Sequence, residues 1–457
     1  MKIKLAAIAK NEGAYIPQWI YHHLHFGFDF IEIWINNTTD NSVQILENIK
    51  HNHAGVVDFF IADELFNECL KNNYSFQIRA YRKIFEESKN NGFTHIIFLD
   101  IDEYWMPKNF ITKIYSCVKD IKDADAISFK WYFDEPESHA REFRLPSNFH
   151  RLQKNRHVKT LIKISGRVKS IGIHNHVISD GLYSFGDGTI FEEVDADQQG
   201  RSAVPRNLFD LDRLKLDDYF ILHTIYRSQK EYVASLLRGR PNGNHKEPFK
   251  SNRYGYIADK DSISGIEFNG DVSEIYKYES NFTKFCEANG ISSLLLIARK
   301  FLQLTFEKAV GILRLSPDLI GSNFLPQMLG VRMNNLIKNK IISNGLIYSI
   351  DDVKFESSKN ILIVTGWAFD RNSSDKVVVV LNDKFGTTLK LLNFFEIDRP
   401  DVVRAHPDAI VSSGFSAQFS IDNVNDTIDF CAGGPYFICL CTTGSIKKIS
   451  LDLERFL

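Results

Sequence analysis

The apolar positions along the first hundred residues switch repeatedly between continuous runs and a helical period. Ile3 to Ala9 is apolar except for Lys4, which predicts a strand covered on both faces. After the Asn11-Glu12-Gly13 turn, Ile16, Trp19, Ile20, His23 and Leu24 recur at helical spacing. Phe30 to Ile35 predicts a second strand, closed by the polar cluster Asn36-Asn37-Thr38-Thr39-Asp40. Val43, Leu46 and Ile49 mark a short helix, and Val56 to Ile61 a third strand. Ile78, Tyr81, Ile84 and Phe85 give an amphipathic helix that leads into a fourth strand, Ile96 to Leu99. Strands alternating with helices predict an α/β fold built on a mostly parallel sheet. In such sheets ligands gather at the carboxyl ends of strands. Asn11, residues 36–40, Asp63, and Asp100 with Asp102 all fall there, so one crevice can collect them.

Further along, the pattern changes twice. From about Ser128 to His223 it is strand-like and irregular, with polar stretches such as Gly186 to Arg206 that read as substrate-facing loops. Residues 241–344 read as a helical connector. Within it, Ala309 to Lys340 mixes apolar residues with Arg314, Arg332, Lys338 and Lys340, which suits either a packing helix or contact with a membrane surface. Residues 345–457 carry short β-rich runs (Ile361–Thr365, Val377–Leu381, Thr387–Leu392, Gly414–Ile421, Phe437–Leu440) separated by Gly, Asn, Asp and Ser, the texture of a separate β-sandwich.

The chemistry concentrates in Phe98-Leu99-Asp100-Ile101-Asp102-Glu103. An i, i+2 pair on an extended chain puts both carboxylates on one face. Two like charges at a strand tip are costly unless a cation lies between them, and oxygen ligands suit Mg²⁺ or Mn²⁺, with a substrate diphosphate completing the shell. A solvated acidic turn is the plain alternative.

Composition narrows the remaining classes. The chain has 457 residues, 44% of them hydrophobic and 25% charged, with a formal net charge of −2, which gives no electrostatic reason to expect a nucleic-acid partner. Six scattered cysteines form no C-x-x-C pair, so zinc is not expected and reduced thiols in a cytoplasmic protein are. No segment reaches 18 consecutive apolar residues, so no membrane span is expected, which leaves at most peripheral contact at the inner face of the cell membrane.

Three motifs together resemble glycosyltransferases of the GT-A type, in the glycosyltransferase family 2 and family 92-like branch. They are Lys10-Asn11-Glu12 followed by Trp19-Ile20-x-x-His23 and Gly27-Phe28-Asp29, the Asn36–Asp40 turn, and Asp100-x-Asp102-Glu103-Tyr104. A fourth, Leu222-His223-Thr224-Ile225-Tyr226-Arg227-Ser228 with Glu231-Tyr232, is similar to the branch's late motif, although its tyrosine is displaced from the place after the histidine. The resemblance spans about residues 1–240, the catalytic domain it implies. The C-terminal Gly366-Trp367-Ala368-x-Asp370, Arg399-Pro400-Asp401-Val402 and Gly414-Phe415 resemble a β-sandwich module appended to bacterial polysaccharide-assembly transferases.

The resemblance implies a metal-dependent, inverting transfer from a nucleotide-sugar, with UDP favoured, to a glycan or lipid-linked glycan acceptor in surface polysaccharide biosynthesis. It implies Mn²⁺ or Mg²⁺ on Asp100 and Asp102, with His223 as third ligand. Lys10, Asn11, Glu12 and Asp40 would face the nucleoside, with Asp63 and Arg79 as further candidates and Asp100 able to contact ribose or sugar instead of metal. For the base that an inverting displacement needs, Asp134 is the first candidate and Glu135 and Glu137 follow, in the stretch Trp131-Tyr132-Phe133 that also offers an aromatic platform for a sugar ring. His174-Asn175-His176 has strand spacing that would turn both imidazoles one way, either toward a transition metal or, for His176 or His174, into the cleft near the diphosphate. Two other readings stay open. A sugar nucleotidyltransferase would also use metal-binding aspartates, although the single Gly13 after the first strand argues against its phosphate loop. A non-catalytic carbohydrate-binding protein with a degenerate first domain is the other.

Overall fold

The computed structural model describes residues 1–134, 142–191, 215–237, 250, 253, 255–256, 263–315, 331, 346–371, 377–382, 389–421, 436–441 and 446–451. The chain forms two compact units, residues 1–246 with 260–304, and residues 247–259 with 305–457.

The first unit is an α/β body whose parallel half follows the predicted alternation. Strands β1 (Ile3–Ala9), β2 (Phe30–Ile35), β3 (Val57–Ile61) and β4 (His95–Phe98) lie side by side in the order β3-β2-β1-β4, all parallel. Helices α1 (Ile16–His25), α2 (Ser42–Asn52), α3 (Asp63–Lys71) and α4 (Phe76–Asn90) connect them. β1 is buried almost throughout, as a strand covered on both faces must be. One face packs Ala6, Trp34, Ile96 and Phe98 against Phe66 of α3 and Phe76, Ala80, Tyr81 and Ile84 of α4. α3 was not predicted: its nine residues begin on Asp63, and only Phe66 and Cys69 are buried, too short a pattern to stand out.

Beyond β4 the sheet turns antiparallel. β5 (Glu103–Pro107), α5 (Ile114–Asp120), β6 (Ala126–Asp134) and β7 (Arg151–Lys163) follow, with β7 antiparallel to both β4 and β6. The short strands β8 (Val168–Ser170), β9 (Val177–Ile178), β10 (Tyr183–Phe185) and β11 (Ile190–Phe191) come next. β12 (Tyr219–His223) pairs parallel with β6 and antiparallel with β5, so its last residue lies beside both Phe133 and Glu103. Helix α6 (Gln229–Leu236) leaves from that point, followed by β13 (Ile263–Glu267), α7 (Val272–Ala288) and α8 (Ser292–Leu315).

The second unit holds two antiparallel sheets. β14 (Leu346–Glu356), β15 (Ile361–Asp370), β18 (Gly414–Ser420) and β17 (Lys390–Ile397) form one, and β16 (Val378–Asn382), β19 (Phe437–Cys441) and β20 (Ile446–Ser450) the other, with the short helix α9 (Pro400–Ala405) before β18. One apolar cluster joins Val353, Leu362, Val364, Phe415 and Ala417 of the first sheet to Val379, Leu381, Ile438 and Leu440 of the second, which makes the unit a β-sandwich. Among the described residues no helix is long and apolar enough to cross a membrane, and most of Ala309 to Lys340 lies outside them.

Candidate active site

The carboxyl edge of the parallel half is one hydrogen-bonded surface. Asn11, in the left-handed region at φ 53°, accepts the backbone N–H of Thr39 at 2.7 Å and of Asp40 at 3.3 Å, and its own N–H donates to Thr38 Oγ1. Asp40 commits both oxygens to the turn: one accepts the N–H of Gly13 at 2.8 Å, the other the N–H and hydroxyl of Ser42 at 3.0 and 2.6 Å. Asp63 opens α3 and accepts the Asn37 N–H at 2.6 Å. Lys10 stands half-buried at the edge, and Glu12 is buried. Arg79 is exposed on α4, where it pairs with Glu68 at 3.3 Å and stacks over Tyr74.

The Asp100–Asp102 segment corrects the extended geometry expected for it. β4 ends at Phe98 and the chain turns, closed by Asp100 N–H to Glu103 Oε2 at 2.9 Å and by Glu103 N–H to the Asp100 carbonyl at 2.9 Å. A turn breaks the period of two, so the carboxylates part company. Asp100 meets the ammonium of Lys159 at 3.4 Å, and Lys159 meets Glu103 at 3.1 Å, with Lys159 and Glu103 both fully buried. Burial alone would favour neutral Lys159, but Asp100 and Glu103 outweigh it and raise the ammonium above the ordinary lysine range. Asp102 instead faces His223, with Oδ2 at 3.6 Å from Nε2. Thr224 fixes that approach by donating its N–H and hydroxyl to the Asp102 carbonyl at 2.8 and 3.1 Å. His223 Nδ1 is buried without a hydrogen-bond partner.

A divalent cation with Asp100, Asp102 and His223 as a three-ligand cage does not fit this arrangement, because Asp100 is turned to Lys159. Among the described residues no three His, Cys, Asp or Glu side chains stand close enough to share one ion. Asp102 and His223 remain as a two-donor pair.

The strand Trp131-Tyr132-Phe133 does not present an open aromatic platform. Trp131 is 9% exposed and the other two less. Trp131 and Phe133 wall His223, with ring centroids 4.4 and 5.5 Å away, because β6 and β12 run side by side there. Asp134, the last residue of β6, is buried and leaves Oδ1 without a partner. Burial pushes its carboxyl up to about 7, against the pull of the Tyr226 backbone N–H and of Arg144 and Arg227. Glu135 and Glu137 lie outside the described residues.

His174-Asn175-His176 lies outside any strand, with β9 beginning only at Val177, so strand spacing does not set its side-chain directions. Asn175 is buried and accepts the hydroxyls of Ser128 and Thr160, which pins the middle of the triplet. His174 contacts the Val158 carbonyl at 3.1 Å and packs edge-on to Trp131, on the His223 side. His176 sits in the core against Phe98, accepts the Gly172 N–H on Nδ1 and donates Nε2–H to the Thr160 carbonyl. Burial lowers its imidazole to about 4, so it stays neutral.

Two sets of residues matter more than their sequence signal suggested. The Trp19/His23 motif is a clamp on β5: Trp19 Nε1–H donates to the Glu103 carbonyl at 2.9 Å, His22 Nε2–H to the Trp105 carbonyl at 2.8 Å, and His23 accepts the Trp105 N–H at 3.3 Å. Arg227 lies within the late motif, just before the Ser228-x-x-Glu231 capping box, but the resemblance assigns it no role. Its backbone is left-handed at φ 48°, and its guanidinium lies 3.4 Å from the Tyr15 ring centroid, 3.7 Å from Glu12 and 3.4 Å from the Ile101 carbonyl. One side chain thus ties the end of β1, the Asp100–Asp102 turn and the start of α6. Glu231 completes the junction, accepting the Tyr15 hydroxyl at 3.0 Å and the Phe143 N–H at 3.3 Å. A small pocket opens here between Tyr15, Gln18, Tyr104, Phe143, Arg144, Phe149, Thr224, Arg227 and Glu231.

No family model matches the sequence, and no curated protein matches it significantly. Among solved structures, the first two of those similar to it are S. aureus TarS residues 1–349, at 12% identity and TM-score 0.24, and the same protein in complex with UDP, at 11% and 0.22. Each covers 36% of this chain, which spans about half (47%) of theirs. A longer S. aureus TarS structure aligns over 98% of this chain and 77% of its own at 9% identity, with TM-score 0.25. Superpositions this loose carry no argument about what the site does.

Proposed function

We propose that the chain is a glycosyltransferase that moves a sugar, with inversion, from a nucleoside-diphosphate donor to a hydroxyl of a glycan or lipid-linked glycan acceptor. The observation that carries this reading is the meeting of Asp102, His223, Arg227 and Asp134 at adjoining strand ends, beside the hydrogen-bonded edge formed by Asn11, Asp40 and Asp63. That edge suits a nucleoside, whose hydroxyls and base edge need convergent polar groups. UDP is the favoured nucleotide and bacterial surface polysaccharide the favoured setting, both from the sequence resemblance alone.

In this reading the acceptor hydroxyl loses its proton to Asp134, a carboxyl held near 7 by burial and so suited to act as a base at neutral pH. The acceptor oxygen bonds to the anomeric carbon as the nucleoside diphosphate departs from the opposite face. Arg227 places fixed positive charge beside the Asp100–Asp102 turn, where the leaving group's charge would develop. A divalent cation, if bound, belongs on Asp102 and His223, with its other positions open to diphosphate oxygens, and would supply Lewis-acid stabilisation of the leaving group.

The test is a donor screen by thermal shift and nucleotide release, with UDP-, GDP- and dTDP-sugars, Mn²⁺, Mg²⁺ or EDTA, on wild type and Asp102→Ala. A shift of a few degrees with one nucleotide class, lost in the variant, is expected. No shift with any donor would overturn the reading and bring a glycan-binding role for the β-sandwich forward.

A further inference from the structure

A metal motif usually implies that its carboxylates wait for a cation. Here one of them already has one. Lys159 projects from the middle of β7, opposite Phe129 of β6, into full burial between Asp100 and Glu103. Glu103 is equally buried, and its other oxygen, Oε1, has no hydrogen-bond partner, so Lys159 is the charge that holds this carboxylate beneath the turn. Asp100 is 38% exposed, but Lys159 is fully buried, so a metal ion ligated by Asp100 would lie within a few ångströms of an ammonium that cannot swing away and would be repelled by it. Asp102 meets His223, with Oδ2 3.6 Å from Nε2.

We propose that Lys159 is a resident counter-cation: it occupies Asp100 and Glu103, and so confines any divalent cation to Asp102 and His223. Lys159 touches no substrate in this scheme. It is a positioning residue that divides the pair of aspartates between a structural and a cation-facing role. The inference deepens the transferase reading, but it is tested without a sugar donor, so the two can fail separately.

The experiment measures Mn²⁺ binding to the intact chain by electron paramagnetic resonance of free Mn²⁺, with no nucleotide present. Asp102→Asn should weaken binding about tenfold or more, whereas Asp100→Asn should leave it within about threefold. Lys159→Met should strengthen it about tenfold, because the ammonium is gone and Asp100 becomes available beside Asp102, while the buried Glu103 turns neutral. That gain should vanish in Lys159→Met/Asp100→Asn. A lysine serving only to pack β7 would lower the melting temperature without raising Mn²⁺ affinity. If Lys159→Met does not fold, the two aspartate variants decide: equal losses in Asp100→Asn and Asp102→Asn overturn the proposal. Mn²⁺ binding absent from both wild type and Lys159→Met overturns it as well. Failure of the donor screen with this pattern intact would refute the transferase reading alone.

Discussion

Asp134 makes a prediction that depends on its burial and not on the identity of any substrate. Its folded carboxyl is held at about 7, against an ordinary value of about 3.9 in the unfolded chain. A raised acid stabilises the fold fully below its unfolded value, and that contribution is lost as pH rises through about 7. Between pH 7 and 5 the folded group takes up most of its proton while the unfolded one stays ionised, so acidification adds about 2 kcal/mol of stability. Buried histidines act in the opposite sense. His23 is lowered by burial to about 3 and His176 to about 4, so each stays neutral while its unfolded counterpart charges below about 6.5. Over the same interval each costs about 2 kcal/mol. Wild type should therefore lose about 2 kcal/mol from these three groups, and Asp134→Asn, which cannot take up the proton, about 4. Urea unfolding of the α/β unit followed by tryptophan fluorescence at pH 7, 6 and 5 reads the difference directly. Parallel curves for wild type and Asp134→Asn, within about 0.5 kcal/mol, would mean that the carboxyl is ionised in both states and would remove the physical basis for assigning it as a base.

The remaining predictions probe other parts of the structure. With an active donor in hand, kcat/KM should fall on the acid side of a limb near pH 7, where Asp134 gains its proton, and Asp134→Asn should flatten that limb along with most of the rate. His23→Leu orphans the buried Trp105 N–H, which should cost about 1–3 kcal/mol and show as a lower melting temperature. Arg227→Gly and Arg227→Ala should both weaken nucleotide binding, but the glycine variant should melt higher, by about 1 kcal/mol of relieved strain at φ 48°. Equal melting temperatures would show that this backbone is not strained. In the sandwich, Gly366→Ala would bring a Cβ to 2.3 Å from the Ser349 carbonyl oxygen, so it should destabilise that unit by about 1–3 kcal/mol while donor-induced shifts of the α/β unit persist.

Most of the parallel half of the sheet was legible because its central strand β1 is buried on both faces and helices such as α1 and α4 carry an apolar stripe, which are the two patterns a sequence shows most plainly. The sandwich was legible for a similar reason, although Leu346–Glu356 and Ile446–Ser450 escaped because their exposed positions break the apolar runs. The site was half legible. Asp102 and His223 were named from motifs that lie more than a hundred residues apart, and the strand pairing of β12 with β5 accounts for their meeting. What failed was the assumption of a regular strand where none forms: over Asp100 to Asp102, where the backbone turns, and over His174 to His176. Spacing fixes side-chain direction only inside a regular element, and functional carboxylates and histidines gather where elements end. The partners that decide those directions, Lys159 for Asp100 and Asn175 for the histidine pair, come from a strand and a loop whose own patterns advertise only burial or polarity. Arg227 is the limiting case. A left-handed arginine fastened to Tyr15, Glu12 and the Ile101 carbonyl has no local sequence cause, because its conformation is set by groups as distant as the first helix. Strain of that kind persists only where the surroundings over-determine it. Arg227 is therefore the residue whose replacement should most clearly separate a site built for binding from a junction that is merely well packed.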